Sequence, residues 1–346
     1  MSITYHERPG VYVEYDTTSH IVSTAQKVVG IAGLGSGSGL YRFDSAAAAA
    51  QIFSTTTTLG KMLQLAFAAG AAQVVCCPIA SSSASAYAAA VIQLLSEGNI
   101  GCLAVDAEST QILSAIAALL CNEGAKECIA FAGLSEPTVS SLCSFAQSMN
   151  CERLVLLGAD VKYAGEEDYG GGCLAASAMA GLYSAQLDPA LPLHGAQLPG
   201  LIGVSLSPSE TQLDLLVQSG VTPIEAVGEQ VRIIRAVTTR TTTDGVTDGT
   251  WRELTTVAIV DDVIPAVRDA LHAKFLRRKN TAVTRNAIRS QVAIVLDDRV
   301  RREIIEGYDD LTVEALESDP TTCEVAFTFR VVYGLCRIHL SIHILV

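Results

Sequence analysis

Leu59-Gly60-Lys61-Met62-Leu63-Gln64-Leu65-Ala66-Phe67-Ala68-Ala69-Gly70, followed by Ala71-Ala72-Gln73-Val74-Val75-Cys76-Cys77, is the stretch that decides the fold. Leu59 to Gly70 has the length of a helix and closes at a glycine, a residue suited to the left-handed turn that ends helices. Gln73 to Cys77 is then a short apolar run, the mark of a buried strand. Upstream, Lys27 to Leu34 reads as another buried strand that ends in a Gly/Ser loop. Downstream, helices at Ala84–Glu97, Thr110–Glu123 and Val139–Met149 alternate with strands at Ile100–Val105, Cys128–Ala132 and Arg153–Leu157. Strands alternating with helices of this length predict an α/β domain with a mainly parallel sheet.

The pattern loosens from Gly158 to Pro208, around an Ala-rich helix at Leu174–Tyr183, and changes near Gln218. Val231–Thr239 and Thr250–Val260 read as strands around a Thr/Asp/Gly loop, Thr241–Gly249. A long helix is expected from Val263, capped by Asp261 and Asp262. Cys323–Val346 is strand-rich and interrupted by Gly334. The expectation is an α/β N-terminal domain plus an α+β C-terminal domain, with extended β-strand arms at both termini. The corresponding boundaries are 1–23 (arm and linker), 24–220, 221–334 and 335–346.

The two ends carry the arms. Pro9-Gly10 makes a turn, after which Val11, Val13 and Tyr15 share one face of an alternating run. Ile338, Leu340, Ile342 and Ile344 alternate with polar residues almost to Val346. Period-2 patterning marks a half-buried strand, and no neighbouring segment is placed to pair with either run. An exposed strand edge invites pairing with another chain, so both arms predict self-association.

Composition suits a chain that buries part of its surface in an assembly. The 346 residues have room for two domains, and 49% of them are hydrophobic. Only 17% are charged, against about 25% in an ordinary globular chain, which leaves surface destined for burial in an assembly. A net charge of −13 argues against a nucleic-acid partner, which calls for a basic footprint. Met62 to Ser96 lacks charge, but Pro78 and the serines at 81–83 and 85 divide it below the ~20 residues of a membrane span. No direct membrane insertion follows, and no signal-peptide leader opens the chain. The ten cysteines lack CxxC spacing and read as small buried hydrophobes in a reducing cytoplasm.

No active site assembles from the sequence. The loop Gly33-Leu34-Gly35-Ser36-Gly37-Ser38-Gly39 lacks the third glycine of the dinucleotide fingerprint, and GxxxxGK[ST] and GxSxG are missing. His339 and His343 stand about 13 Å apart on a strand, too far to share a metal. Glu166-Glu167-Asp168 lacks calcium-loop spacing. The expectation is no catalytic residue, no cofactor and no metal. What remains is charge segregation. Between Pro265 and Leu296 lie Arg268, Lys274, Arg277, Arg278, Lys279, Arg285 and Arg289 against one acid, Asp269. Glu303 to Glu324 has eight acids and no Lys or Arg. On a continuous helix, Lys274, Arg277 and Arg278 share a face. A basic and an acidic block in one chain suit complementary contacts in a repeating assembly.

These residues resemble those of contractile tail sheath proteins, the family of bacteriophage tails, R-type bacteriocins and related contractile injection systems. Glu7-Arg8-Pro9-Gly10-Val11-Tyr12-Val13-Glu14 is similar to the family's N-terminal arm. Leu65 to Val74 is similar to its helix-to-strand passage, and Gly220-Val221-Thr222-Pro223-Ile224, Val231–Thr239 and Trp251-Arg252 resemble the entry to its C-terminal domain. The resemblance implies a non-enzymatic subunit that stacks as hexameric rings around an inner tail tube protein, with baseplate and tail terminator proteins as further partners. It implies strand exchange through Pro9, Gly10, Val11, Val13, Tyr15, Ile338, Leu340, Ile342 and Ile344, and a tube-facing role for Lys274, Arg277, Arg278 and Lys279. It also implies assembly in the bacterial host cytoplasm and maturation into a phage tail or released particle. Two other readings stand beside it: an α/β enzyme acting on a nucleotide or sugar, and a different self-assembling tube or shell protein.

Overall fold

The computed structural model describes residues 27–98, 100–121, 127–275 and 277–342. The first half alternates strand and helix: β1 (Val28–Leu34), β2 (Tyr41–Phe43), α1 (Ala46–Ala50), α2 (Thr58–Ala68), β3 (Val74–Ile79), α3 (Ala84–Ser96), β4 (Ile100–Val105), α4 (Thr110–Cys121), β5 (Ile129–Gly133), α5 (Val139–Met149) and β6 (Leu154–Leu157). Shorter strands then surround two helices: β7 (Val161–Tyr163), β8 (Tyr169–Gly170), α6 (Gly172–Ala185), β9 (Gln197–Leu198), β10 (Leu201–Val204), α7 (Glu210–Gln218), β11 (Val221–Thr222), β12 (Ile224–Val227) and β13 (Gln230–Ile233). The chain ends in two hairpins enclosing a pair of long helices: β14 (Thr242–Thr243), β15 (Val246–Thr247), α8 (Leu254–Phe275), α9 (Ala282–Arg301), β16 (Ile305–Leu316) and β17 (Asp319–Val331).

Seven strands form the main sheet in the order β11-β6-β5-β4-β1-β3-β2, all parallel except the edge strand β2. The unbroken apolar runs of the sequence follow from burial on both faces. Alternate residues feed two separate cores. Val29, Ile31, Cys76, Ala104, Phe131 and Val155 join α2 and α6 on one side. Val28, Ala32, Val75, Leu103, Ala130 and Leu156 join α3, α4 and α5 on the other. Helix α6 is buried around nearly its whole circumference. Its small residues let backbones approach: a Cβ at Gly181 would overlap the Ala66 carbonyl of α2.

Where the sequence suggested a domain change near residue 220, β11 still joins the main sheet, pairing in parallel with β6. The change of packing comes along α8. Leu254, Val257 and Ala258 belong to the body core, while Ile259, Val263 and Val267 pack with Val292, Val295 and Leu296 of α9 and Ile304, Ile305 and Leu311.

Two sequence expectations are corrected here. Thr250–Val260 is not a strand: α8 begins already at Leu254, and Asp261 and Asp262 lie inside it rather than capping it. The β-branched run favoured a strand, but burial of Leu254, Val257 and Ala258 on one helix face and of Ile259 and Val263 on the opposite face overrides local propensity. Nor are all ten cysteines free thiols, since Cys121 and Cys151 form a disulfide.

Candidate functional site

In an open parallel sheet, ligands bind at the carboxyl ends of the strands where the strand order reverses. That crevice lies beside β1, between the loops leaving β3 and β4, and has a volume of about 570 Å³. The chain's own groups occupy its floor. Asp106 Oδ2 accepts the Leu34 amide at 2.6 Å, and Tyr87 donates its hydroxyl to Asp106 Oδ1. Burial raises the Asp106 carboxyl against the hydrogen bond from Tyr87, and raises the Tyr87 phenol with that same bond adding to the shift. The lining contains Asp106 and Glu108 but no Lys or Arg. The glycine loop runs into β2 rather than into a helix, so it brings no helix N-terminus for a phosphate. Both charged side chains in the lining are acidic, which disfavours an anionic ligand such as a nucleotide.

The neighbouring acids have a structural task. Gly171 caps α6 with no side-chain hydrogen bond. In its place Glu108 Oε1 accepts the Cys173 amide at 3.1 Å, and the Gly172 backbone favours the charged form of Asp160. One carboxylate borrowed from another loop thus caps the positive end of a buried helix, with a second beside it. The arrangement has a pH signature. Burial, with Glu108 nearby, pushes Asp160 up from 3.8 to about 6. Between those values the folded chain keeps a proton that the unfolded chain has released. Stability therefore falls as pH rises through this window and is level above it. Asp160→Asn should flatten the fall and be more stable at pH 7 by on the order of 1–2 kcal/mol. Urea midpoints of both proteins from pH 4 to 8 check this, and parallel curves would refute it.

The charged candidates sit at one end of the C-terminal domain, arranged otherwise than the sequence suggested. Helix α8 ends at Phe275, and Arg277 takes a left-handed conformation (φ 64°). Arg278 and Lys279 follow in the turn before Thr281 caps α9. Lys274, Arg277 and Arg278 therefore do not share a helix face; Lys274, Arg277, Arg278 and Lys279 crowd an exposed turn instead. Lys274 Nζ donates to Gln291 Oε1 at 2.6 Å. Among the described residues Arg277, Arg278 and Lys279 make no ion pair. Asn280 fixes the turn against the tip of the β16–β17 hairpin, donating to the Pro320 and Thr322 carbonyls at 2.8 and 3.1 Å.

That hairpin is the second feature. Cys323, Val325, Phe327, Phe329 and Val331 of β17 turn inward, and Glu324, Ala326, Thr328 and Arg330 are exposed. Its strands of 12 and 13 residues pair only with each other among the described residues. Both outer edges are open among the described residues. A two-stranded ribbon with an apolar face and open edges is a poor endpoint for a soluble chain. From Tyr333 onward no strand forms within the described residues, and Ile338, Leu340 and Ile342 are 82%, 76% and 71% exposed. The tail is rooted on the body where Gly334 lies against Pro192 and Cys336 Sγ approaches His194 Nε2 at 3.8 Å. Pro9, Gly10, Val11, Val13, Tyr15 and Ile344 lie outside the described residues.

Comparison with known proteins agrees along the chain. Residues 66–239 match the phage tail sheath protein central domain, and residues 246–344 match the phage tail sheath C-terminal domain. A tail sheath protein of Bacillus phage SP01 is 27% identical over 113 residues, 32% of this chain and only 19% of that protein's length. The fold is similar to the helical sheath of the anti-feeding prophage in its contracted state, at TM-score 0.74 and 16% identity over 98% of this chain and 99% of that one. It is also similar to the sheath tail protein from Desulfitobacterium hafniense, at TM-score 0.68 and 12% identity over 93% of this chain and 100% of that one.

Proposed function

This chain belongs to the phage tail sheath protein family, and from that premise we propose that it is the structural subunit of a contractile sheath. The observation that carries the reading is the pairing of an open-edged hairpin, β16–β17, with an exposed apolar tail on the same molecule. An extended segment that adds to an open sheet edge gains main-chain hydrogen bonds and buries alternate side chains. Because the two parts are joined to one body, repetition of that contact from subunit to subunit produces a connected lattice rather than a closed pair.

In this reading residues 1–23 and 335–346 are connecting arms, 24–220 the α/β sheath domain and 221–334 the tube-facing domain. The subunits stack as hexameric rings around an inner tube, ending on baseplate and terminator proteins. The sheath assembles in the host cytoplasm and belongs to the mature tail or particle. It is built extended and collapses to a shorter, wider state that drives the tube through a target envelope. The work comes from contact free energy stored at assembly, released when packed interfaces switch between discrete arrangements.

The exposed turn of Lys274, Arg277, Arg278 and Lys279 faces the tube, where complementary charge sets register and encounter rate more than raw affinity. Lys274→Glu with Arg278→Glu should weaken assembly on purified tubes at least tenfold and leave tube-free polymerisation within about twofold. Sedimentation of both mixtures measures the two effects. Equal losses would remove the tube assignment.

A further inference from the structure

Cys121 ends α4, and Cys151 follows Asn150, the left-handed residue that ends α5. The disulfide between them spans 30 residues and encloses β5 and α5. What it reaches is a corner that holds the route to the C-terminal domain. Asn150 Oδ1 accepts the amides of Thr241 and Thr242, both at 3.0 Å, and its Nδ2 donates to the Thr242 carbonyl. The Cys151 amide donates to Thr239 Oγ1 at 3.1 Å, and that hydroxyl donates to the Cys151 carbonyl at 2.9 Å. Arg240 Nη1 donates to Glu152 Oε2 at 2.9 Å. Three consecutive residues, 150–152, thus clamp 239–242, the segment from which the chain proceeds to α8.

A metal is the rival use of these sulfurs, since Cys121, Cys151 and Glu152 bring their ligand atoms within 4.8 Å of one another. Glu152 is already committed to Arg240, and three donors fall short of the four that a closed structural zinc site takes. The sulfurs are joined to each other.

We infer that Cys121 and Cys151 form a covalent staple, closed by a small-molecule disulfide, that locks the 150–152 corner and the segment it clamps. Cys121 is exposed and Cys151 is buried, which orders the steps. The Cys121 thiolate attacks one sulfur of the oxidant, breaking its S–S bond and releasing one small thiolate. The Cys151 sulfur, having given up its proton, attacks Cys121 in the mixed disulfide and expels the second. Two protein thiols lose two electrons, and one oxidant disulfide becomes two thiols. Reopening is harder: an incoming thiol reaches only Cys121 and must expel Cys151 as a thiolate into a buried, poorly solvated position.

The test uses the purified full chain, fully reduced and then either kept in reductant or incubated with oxidised glutathione. Alkylation after denaturation, read by intact and peptide mass, should show two thiols lost, at Cys121 and Cys151. The oxidised chain should melt roughly 5 °C higher and exchange the Thr241 and Thr242 amides at least tenfold more slowly. Cys121→Ser, at an exposed position, should fold and show neither change. Both thiols remaining alkylatable, a persistent glutathione adduct at Cys121, or zinc retained stoichiometrically by the reduced chain would overturn the staple. A staple that forms without altering melting or exchange at 241–242 would overturn the locking role.

Discussion

Arg153→Ala will destabilise the folded subunit by about 3–5 kcal/mol, the cost of leaving a buried charge without its partner. Arg153, at the foot of β6, donates from Nη1 to Asp261 Oδ2 of α8 at 2.6 Å, and the Asp261 side chain is 1% exposed. Its other oxygen, Oδ1, has no hydrogen-bond partner among the described residues. Burial raises Asp261 above the ordinary carboxylate range even with Arg153 in place. Lys27 feels the same carboxylate while donating to the Tyr183 hydroxyl at 2.6 Å, and Arg268 pairs with Glu127 farther along α8. The junction between body and C-terminal helices is therefore ionic as well as apolar. Pro265 adds to its importance: with no N–H, it leaves the Asp261 carbonyl without the usual helical bond. Urea unfolding of the unassembled chain measures the loss. Arg153→Met combined with Asp261→Leu should recover most of it, because an apolar pair of similar volume avoids both desolvation costs. A single-variant loss below about 1 kcal/mol would show that water reaches the pair and screens it.

Ile338→Ser, Leu340→Ser and Ile342→Ser together should abolish ordered polymerisation while leaving the subunit's melting temperature within about a degree. All three are exposed in the isolated chain, and exposed substitutions of this kind usually change stability by less than about 0.5 kcal/mol. In a neighbour's sheet each side chain is worth about 1.5–3 kcal/mol of burial. Losing three costs on the order of 5–9 kcal/mol per contact, a factor of 10³ or more in association. Deleting residues 1–16 should give the same outcome: a folded monomer without ordered sheath. Normal tubes from either variant would remove the role assigned to that arm. Light scattering, circular dichroism and electron microscopy of the same samples separate assembly from folding.

The body was legible because burial on both sheet faces writes its strands as unbroken apolar runs, so Val28–Leu34 and Val74–Ile79 announce themselves. The start of α8 was not. Thr255, Thr256, Val257, Ile259 and Val260 are β-branched, and only the two cores that Leu254, Val257 and Val263 enter make that segment helical. Two period-3.6 stripes, 254, 257 and 258 on one face and 259, 263 and 267 on the other, were the available signal. The basic cluster was found by composition but misplaced in geometry, because nothing local marks Arg277 as the left-handed residue between two helices. The carboxylate cap of α6 was illegible for a different reason. Glu108 stands 65 residues from Cys173, whose amide it accepts, and only the folded sheet brings it to the helix end. The disulfide shares that cause, as 30 residues separate cysteines that sit in no recognisable spacing.

Electron microscopy of the purified full-length chain, concentrated without any partner, tests the central claim most directly. A sheath subunit that connects through its own arms should form striated hollow cylinders, with density for segments from neighbouring subunits along the outer edges of the β16–β17 hairpin. Monodisperse particles at every concentration, or cylinders whose hairpin edges remain bare, would contradict it.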